Sequence, residues 1–156
     1  MGKIVSNEFY GGIKVQFIRQ ATIKDKEMIY NLLVQLEGME FDKRMYSDIY
    51  EANLLNPAVF YFVYEEENSV VGFISIHIQK LLHHSGNIAE VQELIVDESV
   101  RGKGIGKQLF EKARLIAIEN KCSQLEVCCN QKRKESHQFY ELQGMTNNHY
   151  KFCLVV

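Results

Sequence analysis

Apolar and polar residues follow two different periods along this chain, and the switches between them mark its elements. Val15 to Arg19 alternates weakly, as a short strand does, and Thr22-x-x-Asp25 resembles a capping box with Asp in place of Glu. Met28, Ile29, Leu32, Leu33 and Leu36 then recur at helical spacing until Gly38. A second helical stretch, from about Asp42 to Leu55, stops at Asn56-Pro57, because the residue before a proline is steered out of the helical region. Ala58 to Tyr64 is rich in β-branched and aromatic residues, Glu66-Glu67-Asn68-Ser69 is a polar turn, and Val70 to Lys80 is a longer strand. Together they predict an antiparallel hairpin. In its second strand Ile74, Ile76 and Ile78 share one face, while Phe73, Ser75 and His77 share the other.

His83-His84-Ser85-Gly86-Asn87 reads as a loop and Ile88 to Val96 as the next strand. Ile105, Leu109, Ala113 and Ile116 form the buried stripe of a helix. Leu125 to Asn130 follows as a strand, Lys134 to Gln143 as a helix ended by Gly144, and His149 to Val156 as a last strand. The order β-α-α-β-β-β-α-β-α-β predicts an α/β (α+β) fold, with a mixed, mostly antiparallel central sheet flanked by helices. Residues 1–14, broken by Gly11-Gly12, read as an irregular N-terminal extension, and residues 15–156 as one domain with enough chain for a substantial core.

Composition narrows the function classes. An apolar fraction of 46% with 24% charged residues is ordinary for a globular domain. A net charge of −2 argues against general affinity for nucleic acid or an anionic membrane. No leader or membrane-spanning run is evident, so a cytoplasmic location is expected. Cys122, Cys128, Cys129 and Cys153 show no C-x-x-C spacing, and Cys128 and Cys129 should point to opposite faces of a strand. Free thiols are expected, with no metal site; His77, His83 and His84 cluster in sequence, but no spacing demands a metal.

The chemistry concentrates between Leu94 and Gln108, which reads Leu-Ile-Val-Asp-Glu-Ser-Val-Arg-Gly-Lys-Gly-Ile-Gly-Lys-Gln. A strand that delivers a Gly-rich basic loop to a helix N-terminus makes a phosphate cradle. The first helical N–H groups have no partner, and the helix dipole favours negative charge. Arg101, Lys103 and Lys107 add charge at the same turn. A Walker A motif ending at Gly106-Lys107 fails, because Arg101 stands where it needs glycine and Gln108 where it needs Ser or Thr. A dinucleotide G-x-G-x-x-G fails as well, with Lys107 or Leu109 in place of its third glycine.

Arg101-Gly-Lys-Gly-Ile-Gly106 after a Leu-x-Val strand, and Phe139-Tyr140-Glu141-Leu142-Gln143-Gly144-Met145, resemble two motifs of the GNAT superfamily of acetyl-CoA-dependent N-acetyltransferases. Met145 stands where that superfamily usually has Phe. The resemblance covers nearly the whole chain from Val15. It implies a donor site in which Arg101, Gly102, Lys103, Gly104, Ile105, Gly106 and Lys107 hold the pyrophosphate of acetyl-CoA. Leu94, Ile95 and Val96 would pair with the pantetheine arm, and one backbone N–H there would polarise the acetyl carbonyl. Such a donor is worth about 3–4 kcal/mol in a transition state. Asn130 would bond the cofactor arm, and Tyr140 would protonate the departing thiolate.

The acceptor must lose a proton, since an alkylammonium of pKa about 10.4 is only about 0.04% neutral at pH 7. The strand before the loop supplies Glu90 and Glu93. Strict alternation separates them onto opposite faces, but this strand in the superfamily usually carries a bulge, which would upset the parity. The resemblance points to Glu90 as general base, with Glu93 and His77 contacting the substrate and Glu93 as the alternate base.

The stretch from His77 to Phe152 is most similar to aminoalkylphosphonate N-acetyltransferases, through His77-Ile-Gln79, Leu82-His83-His84, Glu90-x-Gln92-Glu93-Leu94, Asn130 with Lys132-Arg133, His137-Gln-Phe139-Tyr140 and His149-Tyr-x-Phe152. Lys132 and Arg133 suit an anionic phosphonate. The implied partner is a small-molecule primary amine. An aminoglycoside, a polyamine or a protein amine stays open, with Glu37, Glu40, Asp42 and Asp48 as an acidic cleft for a polycation, and so does a catalytically silent acyl-CoA-binding module. Superfamily members are often homodimers, but no dimer-specific signal stands out.

Overall fold

A computed structural model describes Phe9–Tyr10, Ile13–Lys14 and residues 17–156. Its centre is a five-stranded sheet in the order β3-β4-β5-β6-β7. The strands are Ile18–Gln20 (β3), Val59–Glu66 (β4), Ser69–Leu81 (β5), Gly86–Val96 (β6) and Cys122–Val127 (β7). β3 to β6 are antiparallel to their neighbours and β7 runs parallel to β6. The helices are Lys26–Glu37 (α1), Lys43–Leu54 (α2), Ile105–Glu119 (α3) and Lys134–Leu142 (α4). The mixed, mostly antiparallel sheet flanked by helices is the expected architecture.

The differences in the elements are local. Within the expected irregular extension Phe9–Tyr10 (β1) and Ile13–Lys14 (β2) pair antiparallel, and the rest of residues 1–14 lies outside the described residues. The expected strand Val15 to Arg19 is seen as Ile18–Gln20, and its first two residues lie outside the described ones. The strand expected over Leu125 to Asn130 sits earlier, at Cys122–Val127, so Cys128 and Cys129 are not alternating strand residues. No strand forms over His149–Val156, and every residue there is exposed.

The two faces of the sheet are covered differently. On one, Ile74, Ile76, Ala89 and Val91 meet Leu109, Ala113 and Ile116 of α3, an aliphatic core that follows directly from the helical stripe. Gly72 lets α3 come this close. A Cβ there would lie 3.0 Å from Leu109 Cδ1 and 3.2 Å from Tyr64 Cβ. On the other face, Ile29 and Leu32 of α1 and Tyr50 of α2 pack on Tyr61, Val63, Phe73 and Ile95. Aromatic contacts run through this layer, with Tyr50 stacked on Tyr61 at 5.4 Å and Tyr61 edge-on to Phe73 at 5.4 Å. The buried phenols keep their polar ends bonded: Tyr50 donates to Thr22 O at 2.8 Å, and Tyr61 Oη accepts from Asn53 Nδ2 at 2.6 Å.

The capping box read at Thr22-x-x-Asp25 forms, on a short 3₁₀ turn that leads into α1. Asp25 is buried and takes a two-pronged bond from Arg19, both oxygens at 2.8 Å. Burial pushes its carboxyl up, but the Arg19 guanidinium and the Thr22 backbone N–H outweigh that and hold it below its ordinary value. Gly38, left-handed at φ 72°, ends α1, and Asp42 caps α2 through Met45 N–H at 2.7 Å. Among the described residues no helix is long and apolar enough to cross a membrane.

Candidate active site

β6 is the strand on which the site is built, and a bulge decides what it presents. Its register with β5 runs His77↔Glu90 and Ile76↔Val91, then jumps to Ser75↔Glu93, leaving Gln92 as the extra residue. Ala89 and Val91 point into the α3 core before the bulge, and Leu94 and Val96 do so after it. Glu90 and Glu93 therefore share the face toward α1 and α2, where an unbroken alternation would have separated them.

The two carboxylates have different company. Ser75, fully buried in β5, donates to a Glu93 carboxylate oxygen and accepts from Glu93 N–H at 3.1 Å. Glu90 accepts from Gln79 Nε2 at 3.0 Å and sits opposite His77.

The parallel pairing of β6 with β7 ends at Val91↔Val127. Beyond that point β6 runs on to Val96 while β7 has finished, and a cleft of about 210 Å³ opens between them. Its walls are Gln92, Glu93 and Leu94 from β6; Val127, Cys128, Cys129 and Asn130 from the end of β7; Arg133, Ser136 and Tyr140 from the α4 region; and Leu36 and Glu37 from α1. Glu90 and His77 are not among them.

The outer edge of β6 beyond Val91 lacks a strand partner among the described residues. Its peptide groups are available to an extended, amide-bearing ligand.

At the far end of β6 the Gly-rich turn leads into α3. Gly102 and Gly104 adopt φ 80° and 79°, which side-chain-bearing residues rarely take, and open space lies where a Cβ would be. Gly104 caps α3 with no side-chain hydrogen bond, and the first helical bond runs from Gln108 N–H to Gly104 O at 3.2 Å. The amides of Ile105, Gly106 and Lys107 thus have no helical acceptor. Arg101 Nε donates to Val96 O at 3.0 Å and ties the turn to the strand, and Lys103 lies 3.9 Å from Glu66. Phe139 packs beside Gly106, where an added Cβ would make an ordinary contact with its ring at 3.7 Å.

Tyr140 enters the cleft from α4, held by aromatic contacts to Phe110 at 6.0 Å and Phe139 at 5.2 Å. Burial pushes its phenol up to about 12, with the neighbouring Cys129 adding to the shift and Arg133 opposing it. Its hydroxyl has no hydrogen-bond acceptor among the described residues, so the proton it carries at neutral pH is available. Burial likewise raises the Cys129 thiol.

Arg133 spans the cleft, donating to Leu36 O at 2.8 Å and to Glu37 at 3.2 Å. Asn130 accepts from Lys132 N–H at 2.9 Å through its side chain and bonds His137 Nε2 through its carbonyl at 2.9 Å. It lines the cleft while fixing the turn into α4.

Residues 26–145 match the acetyltransferase (GNAT) family. The chain belongs to that family. The enzyme is an N-acetyltransferase, in agreement with the resemblance carried by its two motifs. It is 38% identical over 135 residues to the aminoalkylphosphonate N-acetyltransferase of Salmonella typhimurium, covering 86% of this chain and 88% of that one. The fold is similar to that of a transcriptional regulator from Bacillus halodurans, with a TM-score of 0.82 at 21% identity over 89% of this chain and 98% of that one. It is also similar to glucosamine-6-phosphate N-acetyltransferase from Arabidopsis thaliana, with a TM-score of 0.75 at 25% identity over 88% of this chain and 96% of that one.

Cleft residues that motif reading alone did not single out for the site are Leu36, Gln92, Val127, Cys128, Cys129 and Ser136. Ser75, beneath Glu93, was likewise missed. A hydroxyl isolated between Ile74 and Ile76 in a buried strand is the signal that could have found it.

Proposed function

We propose that this enzyme moves the acetyl group of acetyl-CoA to the primary amine of a small anionic molecule, an aminoalkylphosphonate, in the cytoplasm, with residues 15–156 acting as one catalytic domain. The observation that carries the reading is the cleft itself: Glu93 on one wall, Tyr140 on the other, and the uncapped glycine turn at the end of the same strand.

The chain fits the donor. Open space at Gly102 and Gly104 and the partnerless amides of Ile105 to Lys107 suit a pyrophosphate, with Arg101, Lys103 and Lys107 around it. The unpaired edge at Leu94, Ile95 and Val96 suits the peptide-like arm, and Asn130 faces that edge across the cleft. The thioester supplies the activated acetyl group.

This chain's groups then manage protons and charge. Glu93 takes a proton from the acceptor amine, directly or through a water, so that the nitrogen lone pair can attack the acetyl carbon. A backbone N–H on the β6 edge hydrogen-bonds the acetyl oxygen. Tyr140 gives its proton to the sulfur as the carbon–sulfur bond breaks, and the second proton that the nitrogen sheds on becoming an amide passes through water to restore the phenol. A phenol held near 12 is a weak acid for a thiol, but the same burial raises the thiolate's proton affinity and narrows the gap. The resemblance points to Glu90 as base. The cleft lining favours Glu93, with Glu90 and His77 as neighbours on the same sheet face.

The printed activity of the Salmonella relative supports an anionic acceptor, and Arg133 at the cleft would bind it on exchanging its pair with Glu37 for the substrate anion. A polycationic acceptor is less well served, since Glu37 is already paired with Arg133 and Asp42 caps α2. The test is thiol release from acetyl-CoA with 2-aminoethylphosphonate, spermidine and kanamycin. The phosphonate is expected to give the highest kcat/KM. Faster turnover of either polycation would overturn the acceptor class, and tight acetyl-CoA binding without release to any amine would favour a silent binding module.

A further inference from the structure

Ser75 is a polar residue in an apolar layer. It lies in the middle of β5, fully buried, on the sheet face where Tyr61, Phe73 and Ile95 pack under α1 and α2. A hydroxyl in such a place costs stability unless it is bonded. Both of its bonds go to one residue. Ser75 Oγ donates to Glu93 Oε2 and accepts from Glu93 N–H at 3.1 Å, and it has no other partner among the described residues. On its other side stands Tyr61, opposite Ser75 in the β4 register, whose hydroxyl is engaged by Asn53 Nδ2 at 2.6 Å.

The bulge in β6 sets up this pairing. Partners step from Ile76↔Val91 to Ser75↔Glu93, so Ser75 is the first β5 residue met beyond the extra Gln92. There a single side chain holds both the backbone N–H and the carboxylate of Glu93. Fixed at both ends, the glutamate side chain gives up most of its rotamer freedom in the folded chain. Glu93 lines the cleft, and no group among the described residues donates to its other oxygen, Oε1. Glu90 has no comparable brace. Its carboxylate is met by Gln79 Nε2 at 3.0 Å, in an exposed pair.

We infer that Ser75 is a positioning residue for the transfer: its hydroxyl anchors Glu93 Oε2 and keeps Oε1 presented to the cleft as the proton acceptor. The inference rests on the reading of Glu93 as base. A proton arriving on Oε1 leaves the bond from Ser75 to Oε2 intact, so the carboxyl keeps its place through the transfer. A base ordered before the amine arrives need not be ordered at each turnover.

The test is a double-mutant cycle on thiol release from acetyl-CoA, using whichever of 2-aminoethylphosphonate, spermidine and kanamycin turns over fastest. Ser75→Ala is expected to lower kcat/KM for the amine by about 10-fold, with the KM for acetyl-CoA unchanged. Added to Glu93→Gln, it should cost less than about 2-fold more, because the group it positions is already gone. Ser75→Thr keeps the hydroxyl but adds a methyl to a packed layer, and is expected to stay within about 3-fold of wild type. If Ser75→Ala does not fold, Ser75→Cys, a weaker donor of similar size, takes its place in the cycle. An equal loss in both backgrounds, or a Thr variant no better than Ala, would show a packing effect and overturn the inference while leaving Glu93 as base. Turnover of none of the three amines, or a Glu93→Gln change of less than about 3-fold, overturns the reading of Glu93 and this inference with it.

Discussion

The two halves of β6 do different work, although they are one strand. From Asn87 to Val91 it is paired with β5 on one side and β7 on the other, and serves as scaffold. From Glu93 to Val96 it keeps only β5 among the described residues, and it contributes a free edge and the Glu93 carboxylate to the candidate site before leading into the glycine turn. Gln92, the bulge residue, is the boundary. The candidate site occupies the part of a buried strand that has lost a neighbour, where backbone groups are unspent yet the remaining ladder still holds them rigidly.

Glu90 belongs to the first half and Glu93 to the second, so the strand offers an internal control. The largest effect should come from removing the acid opposite the open half. Tyr140→Phe is expected to lower kcat by about 100-fold with little change in the KM for acetyl-CoA, read by steady-state thiol release. Next, Glu93→Gln should lower kcat/KM for the amine by roughly 30-fold at neutral pH, while Glu90→Gln changes it by less than about 3-fold. The reverse ranking would move the base to the scaffold half and break the comparison. Gly104→Ala, which forces a side chain into a left-handed turn at a cost of about 1–2 kcal/mol, should raise the KM for acetyl-CoA by roughly 5–30-fold and leave kcat near wild type.

The smallest expected effect is a null one in pH. An acid works only while protonated, so activity that depends on Tyr140 falls as pH rises through its pKa. With that phenol pushed up to about 12, no Tyr140-linked loss should occur between pH 8 and 10. A fall of kcat in that range that disappears in Tyr140→Phe would show a phenol much closer to its ordinary value.

How much of this was legible beforehand depends on the range of the interaction. The capping box at Thr22 and Asp25, the stop at Gly38 and the aliphatic stripe of α3 were readable, because neighbours within a few residues decide them. Strand ends were less so. β7 begins at Cys122, three residues ahead of the apolar run that suggested it, since pairing with Asn87 and Ile88 rather than side-chain pattern starts it. The final strand had the right alternation, but alternation is only half of a strand. It also needs pairing, and this segment makes none with the sheet edges its chain offers among the described residues.

The chain by itself determined that a glycine turn opens α3 and that Tyr140 sits on a short helix ended by Gly144, since backbone freedom and helical period are local properties. Tertiary structure alone decided that Glu90 and Glu93 share a face, that only Glu93 reaches the cleft, and that Cys128 and Cys129 both line it. Each follows from how strands register and where they part, and one bulged residue is enough to reverse what parity would have said.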